Sequence, residues 1–464
     1  MIKILLTSAA FVLLSIFANP LFSQTFDIDT LVYNGSTSAN LVIMADGYTV
    51  AEMSKFVTDA INFKTHFLDK APYSYYKKYF NVFVIKTPSN ESGVKHPHTA
   101  TDCGKSTTVT NPDNYFGSTF DYGGIHRLVV PTKTSVISAV LANNFPNYNQ
   151  IVILANSSEY GGSGGTYATA TLNASSNEIA VHEVGHSFAK LADEYWAGAQ
   201  YAAEKANMTQ NKDPLTIKWK NWLTSGTGIG INQFVGQTWY KPTTGGVCDM
   251  EALNRPFCAV CSEAIIEKIH SLVKPIKRYA PISTTFSIVN PVYFSLYLIK
   301  PEPNTIKTKW ILNGTVIGQN VDSLFISPSS LISGSNSLSV SVIDTISLTR
   351  SNSHLTSHLY VTNWTISNTT GINNISSKTY NIDLKLYPNP VSDVLNIAFK
   401  TEKTDYVTIL IYSSQGVLIQ KIVDLKMLYG ENIFTLNVSK YTSGSYFVEF
   451  LTSNYVHTEK FIKK

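Results

Sequence analysis

The chain has few charged residues. Only 15% of its 464 residues are Asp, Glu, Lys or Arg, against about a quarter in an average globular protein, and the formal net charge is +4. So small and dispersed a charge argues against nucleic acid as a partner. Beyond residue 24, no stretch is long and apolar enough to span a bilayer. The length exceeds that of one domain, so we expect two or three units.

Cysteine is also scarce. The whole complement is Cys103, Cys248, Cys258 and Cys261. An oxidising destination would favour disulfides, and four cysteines allow three pairings. The alternative is a structural zinc held by Cys248, Cys258 and Cys261. The sequence leaves both possibilities open.

The first 24 residues have the pattern of an export signal. Lys3 precedes an apolar run over 4–18, and small or polar residues follow up to Gln24. This order is typical of a secretory signal peptide cleaved next to Gln24. We therefore expect an exported protein with no transmembrane segment after cleavage. Whether residues 25–40 form an activation peptide stays open.

The most informative stretch is 178–195, which contains the motif HExxH. His182 and His186 are four residues apart, so on a helix both imidazoles project from one face toward one ion. An apolar stripe at helical spacing would bury the helix. It consists of Val181, Val184, Phe188 and Leu191. Ser175 with Glu178 predicts a capping-box start. The competing interpretation is a surface helix with two solvated histidines.

This motif predicts a catalytic zinc site. Two imidazoles and one carboxylate leave a fourth position for water, and Glu183 would act as the general base. We predict Asp193 as the third ligand. An unbroken helix would place Asp193 about 10 Å beyond His186, so the helix must end at about 189–190. Glu194 is the second candidate, and Glu204, on a separate helix, is the third.

The residues around the motif predict an α/β layer. Apolar runs predict strands at 41–45, 82–85, 128–130 and 151–154. A capping box at Thr49 and Glu52 opens a helix, and a second helical pattern covers 136–141. The glycine run 161–165 precedes an alternating stretch at 166–172. We interpret these residues either as a flexible turn or as an edge strand that pairs with an extended peptide.

The last third of the chain changes to all-β patterns. Short strand-like runs between 282 and 366 predict an immunoglobulin-like sandwich. A Ser/Thr/Asn-rich linker follows, and 381–464 forms a second all-β module without a catalytic cluster. The predicted division is signal peptide 1–24, α/β peptidase domain 25–280, sandwich 281–366, linker 367–380 and C-terminal module 381–464.

Residues 40–270 resemble the IgA-peptidase-type metallopeptidases, a metzincin-like zinc family. The matching stretches are 44–49, 91–93, 115–121, 160–165 and 182–195. The resemblance implies a metzincin-like zinc peptidase domain. Met250 then falls where a Met-turn is expected beneath the zinc, although a plain core methionine is the alternative.

The C-terminal module, from Tyr387-Pro388-Asn389-Pro390 onward, looks like a type IX secretion sorting domain of Gram-negative bacteria. This resemblance implies translocation by the type IX machinery, followed by removal or anchoring of the tail. The mature protein would then be secreted or displayed on the outer-membrane surface.

We therefore expect a secreted, monomeric zinc endopeptidase that cleaves extracellular proteins. Immunoglobulin or a mucin-like glycoprotein is the substrate suggested by the family. The alternative is a surface adhesion protein with a vestigial peptidase domain. His96, His98 and Asp102 near Cys103 resemble a second metal site, but a surface loop is the favoured interpretation, as it is for His126.

Overall fold

The computed structural model describes residues 24–105, 107–289, 291–368, 384–401, 405–413, 418–451 and 456–464. Residues 1–23 of the predicted signal peptide and most of the predicted linker 367–380 lie outside the described residues. Among the helices that are described, none is long and apolar enough to cross a membrane.

The N-terminal part is a mixed α/β unit. In chain order its elements are β1 Ile28–Val32, β2 Ala39–Asp46, α1 Met53–Asp69, β3 Phe80–Ile85, β4 Ser118–Thr119, β5 Val130–Pro131, α2 Thr134–Asn144, β6 Gln150–Ala155, β7 Gly162–Ser163, β8 Ala168–Ala170, α3 Ser176–Ala189, β9 Asn232–Gln233, β10 Tyr240–Lys241 and α4 Ala259–Leu272. Six strands form one sheet in the order β1-β3-β2-β6-β8-β7. The central strands β3, β2, β6 and β8 run parallel, while β1 and β7 are antiparallel to their neighbours.

Helices cover both faces of this sheet. Alternate residues of β2 point to opposite faces. Leu41 and Ile43 pack in one core with α1, α3 and α4. Val42 and Met44 pack in another core with α2. The central strands are therefore buried on both sides, which explains why they are continuous apolar runs.

Helix α1 confirms the predicted helix. The predicted capping box is present, since the backbone N–H of Thr49 donates to Glu52 Oε2 at 2.9 Å. It closes a short 3-10 turn that leads into α1. The residues that form the buried face of α1 include Phe56, Ala60, Phe63 and Phe67.

Two strand predictions need correction. The predicted strand at 128–130 is reduced to β5, which pairs with β4 outside the main sheet. The predicted edge strand at 166–172 is β8, which is an interior strand because the glycine run folds back as β7 and covers it. The backbone of Gly162 also bonds to Arg127 and Val129. Neither side of β8 is therefore free for a peptide.

A two-sheet β unit follows. Its elements are β11 Ile276–Ala280, β12 Thr285–Ser287, β13 Val292–Leu298, β14 Ile306–Leu312, β15 Thr315–Gln319, β16 Ser323–Ile326, β17 Gly334–Asp344, α5 His354–Ser357 and β18 Tyr360–Asn368. The sheets have the orders β11-β13-β16 and β12-β18-β17-β14-β15 and enclose Phe294, Trp310 and Trp364. Strand β11 was not predicted, because it contains Lys277 and Arg278 and lies between two prolines.

This β unit shares buried polar contacts with the α/β unit. The side chains of His270, on α4, and Asp344, on β17, are both 0% exposed, and Nε2 of His270 lies 3.0 Å from Oδ2 of Asp344. The hydroxyl of Tyr76 donates to the same carboxylate at 2.7 Å. Removing the β unit would leave these polar groups without partners.

The C-terminal module also has two sheets. Its strands are β19 Lys385–Tyr387, β20 Val394–Thr401, β21 Asp405–Ser413, β22 Leu418–Met427, β23 Gly430–Asn437, β24 Gly444–Leu451 and β25 Val456–Lys463. The sheet orders are β19-β20-β23 and β22-β21-β24-β25, with a core of its own that includes Val391, Leu395, Ile397 and Phe450. This arrangement agrees with the predicted all-β module.

Candidate metal centre and cleft

Helix α3 carries the HExxH motif and ends where helix geometry required. Its apolar stripe is buried, with Val181 and Val184 at 0% exposure. Lys190 follows in the left-handed conformation at φ 56° and ψ 34°, and its N–H donates to Gly185 O. The chain thus reverses at Lys190 without a glycine. A non-glycine residue in this conformation costs on the order of 1 kcal/mol.

The predicted capping box at the start of α3 is wrong. Ser175 occupies the N-cap position but makes no side-chain cap hydrogen bond. Glu178 instead accepts a hydrogen bond from Lys70 Nζ at 2.7 Å and lies 2.8 Å from His66 Nε2. The Glu178 carboxylate therefore binds His66 on α1 and Lys70 at its end, and it does not accept the backbone N–H that a capping box would use.

The turn after α3 brings Asp193 to both histidines. Oδ1 of Asp193 lies 3.1 Å from Nε2 of His182 and 3.3 Å from Nε2 of His186. The two Nε2 atoms are 3.2 Å apart. The three polar atoms therefore converge on one point, although His182 and Asp193 are eleven residues apart in the chain.

The opposite ring nitrogens show which atoms carry hydrogen. Nδ1 of His182 donates to Asp249 O at 2.9 Å, and Nδ1 of His186 donates to Leu191 O at 2.9 Å. A carbonyl oxygen can only accept, so in the neutral imidazoles both Nε2 atoms carry lone pairs. With Asp193 Oδ1 they form three acceptors in mutual contact. Such a group is stabilised by positive charge, which protons on the imidazoles or a bound metal ion can supply.

The spacing of the three acceptors fits a zinc ion. Zinc bonds of about 2.0–2.1 Å at tetrahedral angles put neighbouring N or O ligands about 3.3 Å apart. The observed separations are 3.1, 3.2 and 3.3 Å. Backbone carbonyls that hold the second nitrogen of each imidazole are the usual outer support of a metal site.

The pKa values of the two histidines and of Asp193 show that the site favours positive charge on the imidazoles. Burial opposes the charged form of His182, yet the Asp193 carboxylate outweighs burial and raises the pKa of His182 to about 10. The same balance raises the pKa of His186. Burial would raise the pKa of Asp193, but the two imidazoles hold it well below its usual value. Protons and a metal ion therefore compete for this site.

Glu183 lies among the ligands but is not one of the three acceptors. It offers a carboxylate oxygen within 4.8 Å of a ring nitrogen of both His182 and His186. Burial raises its pKa, although the two histidines and then Arg127 act in the opposite direction. A carboxylate with a raised pKa beside a metal site can take and release a proton.

Two glycines allow close packing around these groups. A Cβ on Gly164 would lie 2.6 Å from Cβ of His186 and 2.8 Å from Oε2 of Glu183. A Cβ on Gly185 would lie 2.9 Å from the sulfur of Met250, which is fully buried beneath α3. The glycine run is therefore one wall of the site rather than a flexible turn.

The site lies at the bottom of a cleft of 1110 Å³. Aromatic and basic side chains line this cleft, among them Arg127, Tyr160, Tyr195, Trp196 and Tyr201. Desolvation and the Asp193 charge raise the pKa of Tyr195, so its hydroxyl stays protonated. Tyr195, Trp196 and Tyr201 come from the segment after α3, whereas Arg127 lies before β5 and was not predicted as part of the site.

The other two candidate third ligands point elsewhere. Glu194 is fully buried, and its Oε1 lies 3.1 Å from the sulfur of Cys261. Glu204 pairs with Lys218 Nζ at 2.5 Å on the surface. Only Asp193 among the three, all of which are described, lies beside the histidines.

A second group lies outside the cleft. His96, Cys103, Asp121 and His126 present ligand atoms within 4.8 Å of one another. His96 is 2% exposed, so the surface-loop interpretation is wrong for this residue. Asp102 only accepts the backbone N–H of His126 at 2.9 Å. Asp121 has no sequence signal, because it reaches the group through a left-handed turn at φ 62°.

Comparison with protein families supports the two resemblances. The profile described as IgA Peptidase M64 matches residues 31–233, and the profile described as Secretion system C-terminal sorting domain matches residues 385–464. The first match begins in β1, contains all of α3 and ends in β9. A search of curated proteins returned no match.

Solved structures add little. Latent PorU from Porphyromonas gingivalis is 14% identical over 40% of this chain and 20% of its own, with a TM-score of 0.17. The fibronectin(III)-like modules of Clostridium thermocellum CbhA are 11% identical over 40% of this chain and 92% of theirs, with a TM-score of 0.14. The chain thus spans a fifth of PorU, and scores this low carry no argument about fold.

The family matches and the site fall in the same part of the molecule. The M64 match contains His182, Glu183, His186 and Asp193, and the sorting-domain match covers the C-terminal two-sheet module. Residues 31–233 therefore match the M64 peptidase family and residues 385–464 match the secretion-system sorting domains, and the candidate metal centre lies within the first match.

Proposed function

We propose that the protein is a zinc-dependent endopeptidase that cleaves extracellular proteins in the cleft above α3. His182, His186 and Asp193 hold the zinc ion. The observation that carries this proposal is the contact of three lone-pair atoms, two Nε2 and one Oδ1, at 3.1–3.3 Å with no hydrogen available between the neutral groups. A divalent cation removes this repulsion and accepts all three lone pairs.

Each residue then has a separate task. Zinc, when bound, lowers the pKa of a water ligand to about 7 and polarises the carbonyl of the scissile bond. Glu183 takes a proton from the attacking water and delivers it to the leaving amine. Asp249 O and Leu191 O hold the imidazoles in the orientation that presents Nε2. Tyr195 keeps a protonated hydroxyl beside Asp193 and can donate to the substrate carbonyl.

We also propose a metzincin-like arrangement. Two observations favour it. Helix α3 ends at Lys190, so the third ligand comes from the following turn rather than from another helix. Met250 lies in a turn beneath the histidine helix, and its carbonyl accepts the N–H of Glu194 at 2.6 Å. A methionine below the ligands is what a Met-turn would provide.

The substrate is an extended segment of a protein. The cleft is open and lined by tyrosines and a tryptophan, which suits a chain that carries polar and glycosylated side chains. Immunoglobulin, named in the family description, is the first candidate, and a mucin-like glycoprotein is the second. The type IX machinery would export this monomer through its C-terminal module, after which the tail is removed or anchors the protein.

The test combines metal content with cleavage. Purified protein should contain zinc, cleave a denatured protein and lose this activity when a chelator removes the metal. Zinc should restore cleavage. Cleavage that continues in metal-free protein would refute the zinc mechanism. Bound zinc without cleavage of denatured proteins or of the two candidate glycoproteins would favour the alternative, a surface adhesion protein with a vestigial peptidase domain.

A further inference from the structure

A third group of possible ligand atoms lies in the interior and consists mainly of sulfurs. Glu194, Cys248, Cys258 and Cys261 present one carboxylate oxygen and three sulfurs, all within 4.8 Å of one another. Cys258 is 9% exposed and the other three residues are 0% exposed. We propose that these four residues bind a structural zinc ion, separate from the ion in the cleft.

Two of the three distances agree with tetrahedral coordination, and the third is shorter than expected. Zn–S bonds of about 2.3 Å separate two sulfurs by about 3.8 Å, and a Zn–O bond of about 2.0 Å separates sulfur from oxygen by about 3.5 Å. The sulfurs of Cys248 and Cys261 are 3.8 Å apart. Oε1 of Glu194 lies 3.6 Å from the sulfur of Cys258 and 3.1 Å from that of Cys261.

A disulfide explains the cluster less well. A disulfide requires sulfurs about 2.05 Å apart, and none of the four cysteines, all of which are described, forms one. Three cysteines also leave one thiol over in any pairing. That thiol could donate a hydrogen bond to Glu194, but the negative charge of this buried carboxylate would then be held by neutral donors, which leaves a desolvation cost.

Neighbouring groups stabilise negative charge on the cysteine sulfurs and hold the Glu194 carboxylate in one orientation. The N–H of Cys258 donates to the sulfur of Cys248 at 3.3 Å, and Cys258 caps the positive end of α4. Thr243 donates its hydroxyl to Oε2 of Glu194, which leaves Oε1 toward the sulfurs. Asn207 adds a hydrogen bond to Oε1 at 3.2 Å. These are the outer contacts that a metal ligand needs.

This ion would be structural because its shell is closed. Four protein ligands complete a tetrahedral shell, and none of the four, each of them described, lines the cleft. The site ties together three segments that build the active centre. Glu194 follows Asp193, Cys248 precedes Asp249, whose carbonyl orients His182, and the other two cysteines lie at the start of α4.

The first experiment measures the zinc content of a protein variant that cannot bind an ion in the cleft. A His182→Ala, His186→Ala protein is compared with the same protein carrying Cys258→Ser and Cys261→Ser in addition. Mass spectrometry should show a loss of one zinc ion per chain on adding the cysteine substitutions. Ser262→Ala, a buried change on the same helix, is the control and should keep the ion. Equal zinc content with and without the two cysteines would overturn the proposal.

The second experiment keeps all cysteines, because the substituted protein could fail to fold. The His182→Ala, His186→Ala protein is titrated with a mercurial that blocks thiols, while a zinc-sensitive dye reports released metal. One zinc ion should appear as Cys248, Cys258 and Cys261 react. Alkylation after denaturation without reductant, followed by peptide mapping, should modify all three. A disulfide among them, or thiol reaction without zinc release, would overturn the proposal.

Discussion

Two adjacent residues, Asp193 and Glu194, belong to different clusters. These clusters differ in their access to solvent and in the number of possible ligands. Asp193 contacts two imidazoles in an open cleft, where the proposed shell of three protein ligands would leave room for water and substrate. Glu194 lies with three sulfurs in the interior, where the proposed shell of four protein ligands would be complete. Access and ligand number, more than residue type, separate a site for chemistry from a site for stability.

The first prediction has the largest expected effect and distinguishes loss of catalysis from loss of metal in the cleft. Glu183→Gln should lower kcat/KM by about a thousandfold or more, because general bases contribute about 10²- to 10⁴-fold. The zinc content should not change, since the role proposed for Glu183 is that of a base and not of a ligand. Glu178→Gln, on the same helix, is the control and should stay within about threefold. Zinc lost together with activity would make Glu183 a ligand.

The second prediction compares two acidic residues that the sequence offered as third ligands. Asp193→Ala should lower zinc affinity in the cleft by more than about a hundredfold, beyond the 10–100-fold typical of outer-shell changes. Glu204→Ala should leave it unchanged, because Glu204 pairs with Lys218. Competition with a zinc chelator, read through recovered activity, reports the cleft ion alone. The opposite ranking would contradict the geometry around the histidines.

The third prediction tests the glycine wall of the cleft with neighbouring substitutions. Gly164→Ala should lower kcat by about 10- to 100-fold, because its Cβ would collide with His186 and Glu183, and small displacements at a reacting centre are costly. Gly165→Ala should have little effect, since its Cβ would meet nothing within 4 Å. Equal activities of the two variants would show that the wall does not touch the site.

The fourth prediction concerns pH. In the metal-free protein the Asp193 carboxylate raises the pKa values of His182 and His186 despite their burial, so protons compete with zinc for the two Nε2 atoms. Zinc affinity should therefore fall as the pH falls, by about tenfold per unit for each proton displaced. Reactivation of chelator-treated enzyme in buffered zinc at pH 6, 7 and 8 measures this dependence. A half-activation concentration that does not change with pH would contradict it.

The smallest effect is expected from the C-terminal module, since none of its described residues belongs to either cluster or lines the cleft. A protein that ends after Asn368, the last residue of β18, should keep its zinc and its activity within about twofold. The polar segment before residue 384 is the expected processing site, so the mature extracellular protein should lack the tail. The intact mass of protein from the native host tests this. An inactive but folded truncated protein would assign the tail to the enzyme.

Local features of the site could be predicted from the sequence. The spacing of His182 and His186 is a helical repeat, and simple helix geometry required an end before Asp193, which the left-handed Lys190 provides. Contacts between distant segments could not be predicted. Glu178 binds Lys70 and does not form the predicted capping box. Glu194 contacts cysteines that are 64 and 67 residues away in the chain. The edge-strand prediction for β8 failed because the glycine run folds back as β7 and pairs with it, and β11 was missed because Lys277 and Arg278 interrupt its apolar pattern.

The most direct test of the account locates the metal. Crystals of the unsubstituted protein are measured on both sides of the zinc absorption edge. The account predicts an anomalous difference peak enclosed by Nε2 of His182, Nε2 of His186 and Oδ1 of Asp193. No peak at that position, in protein whose dissolved crystals still cleave a denatured substrate, would contradict it.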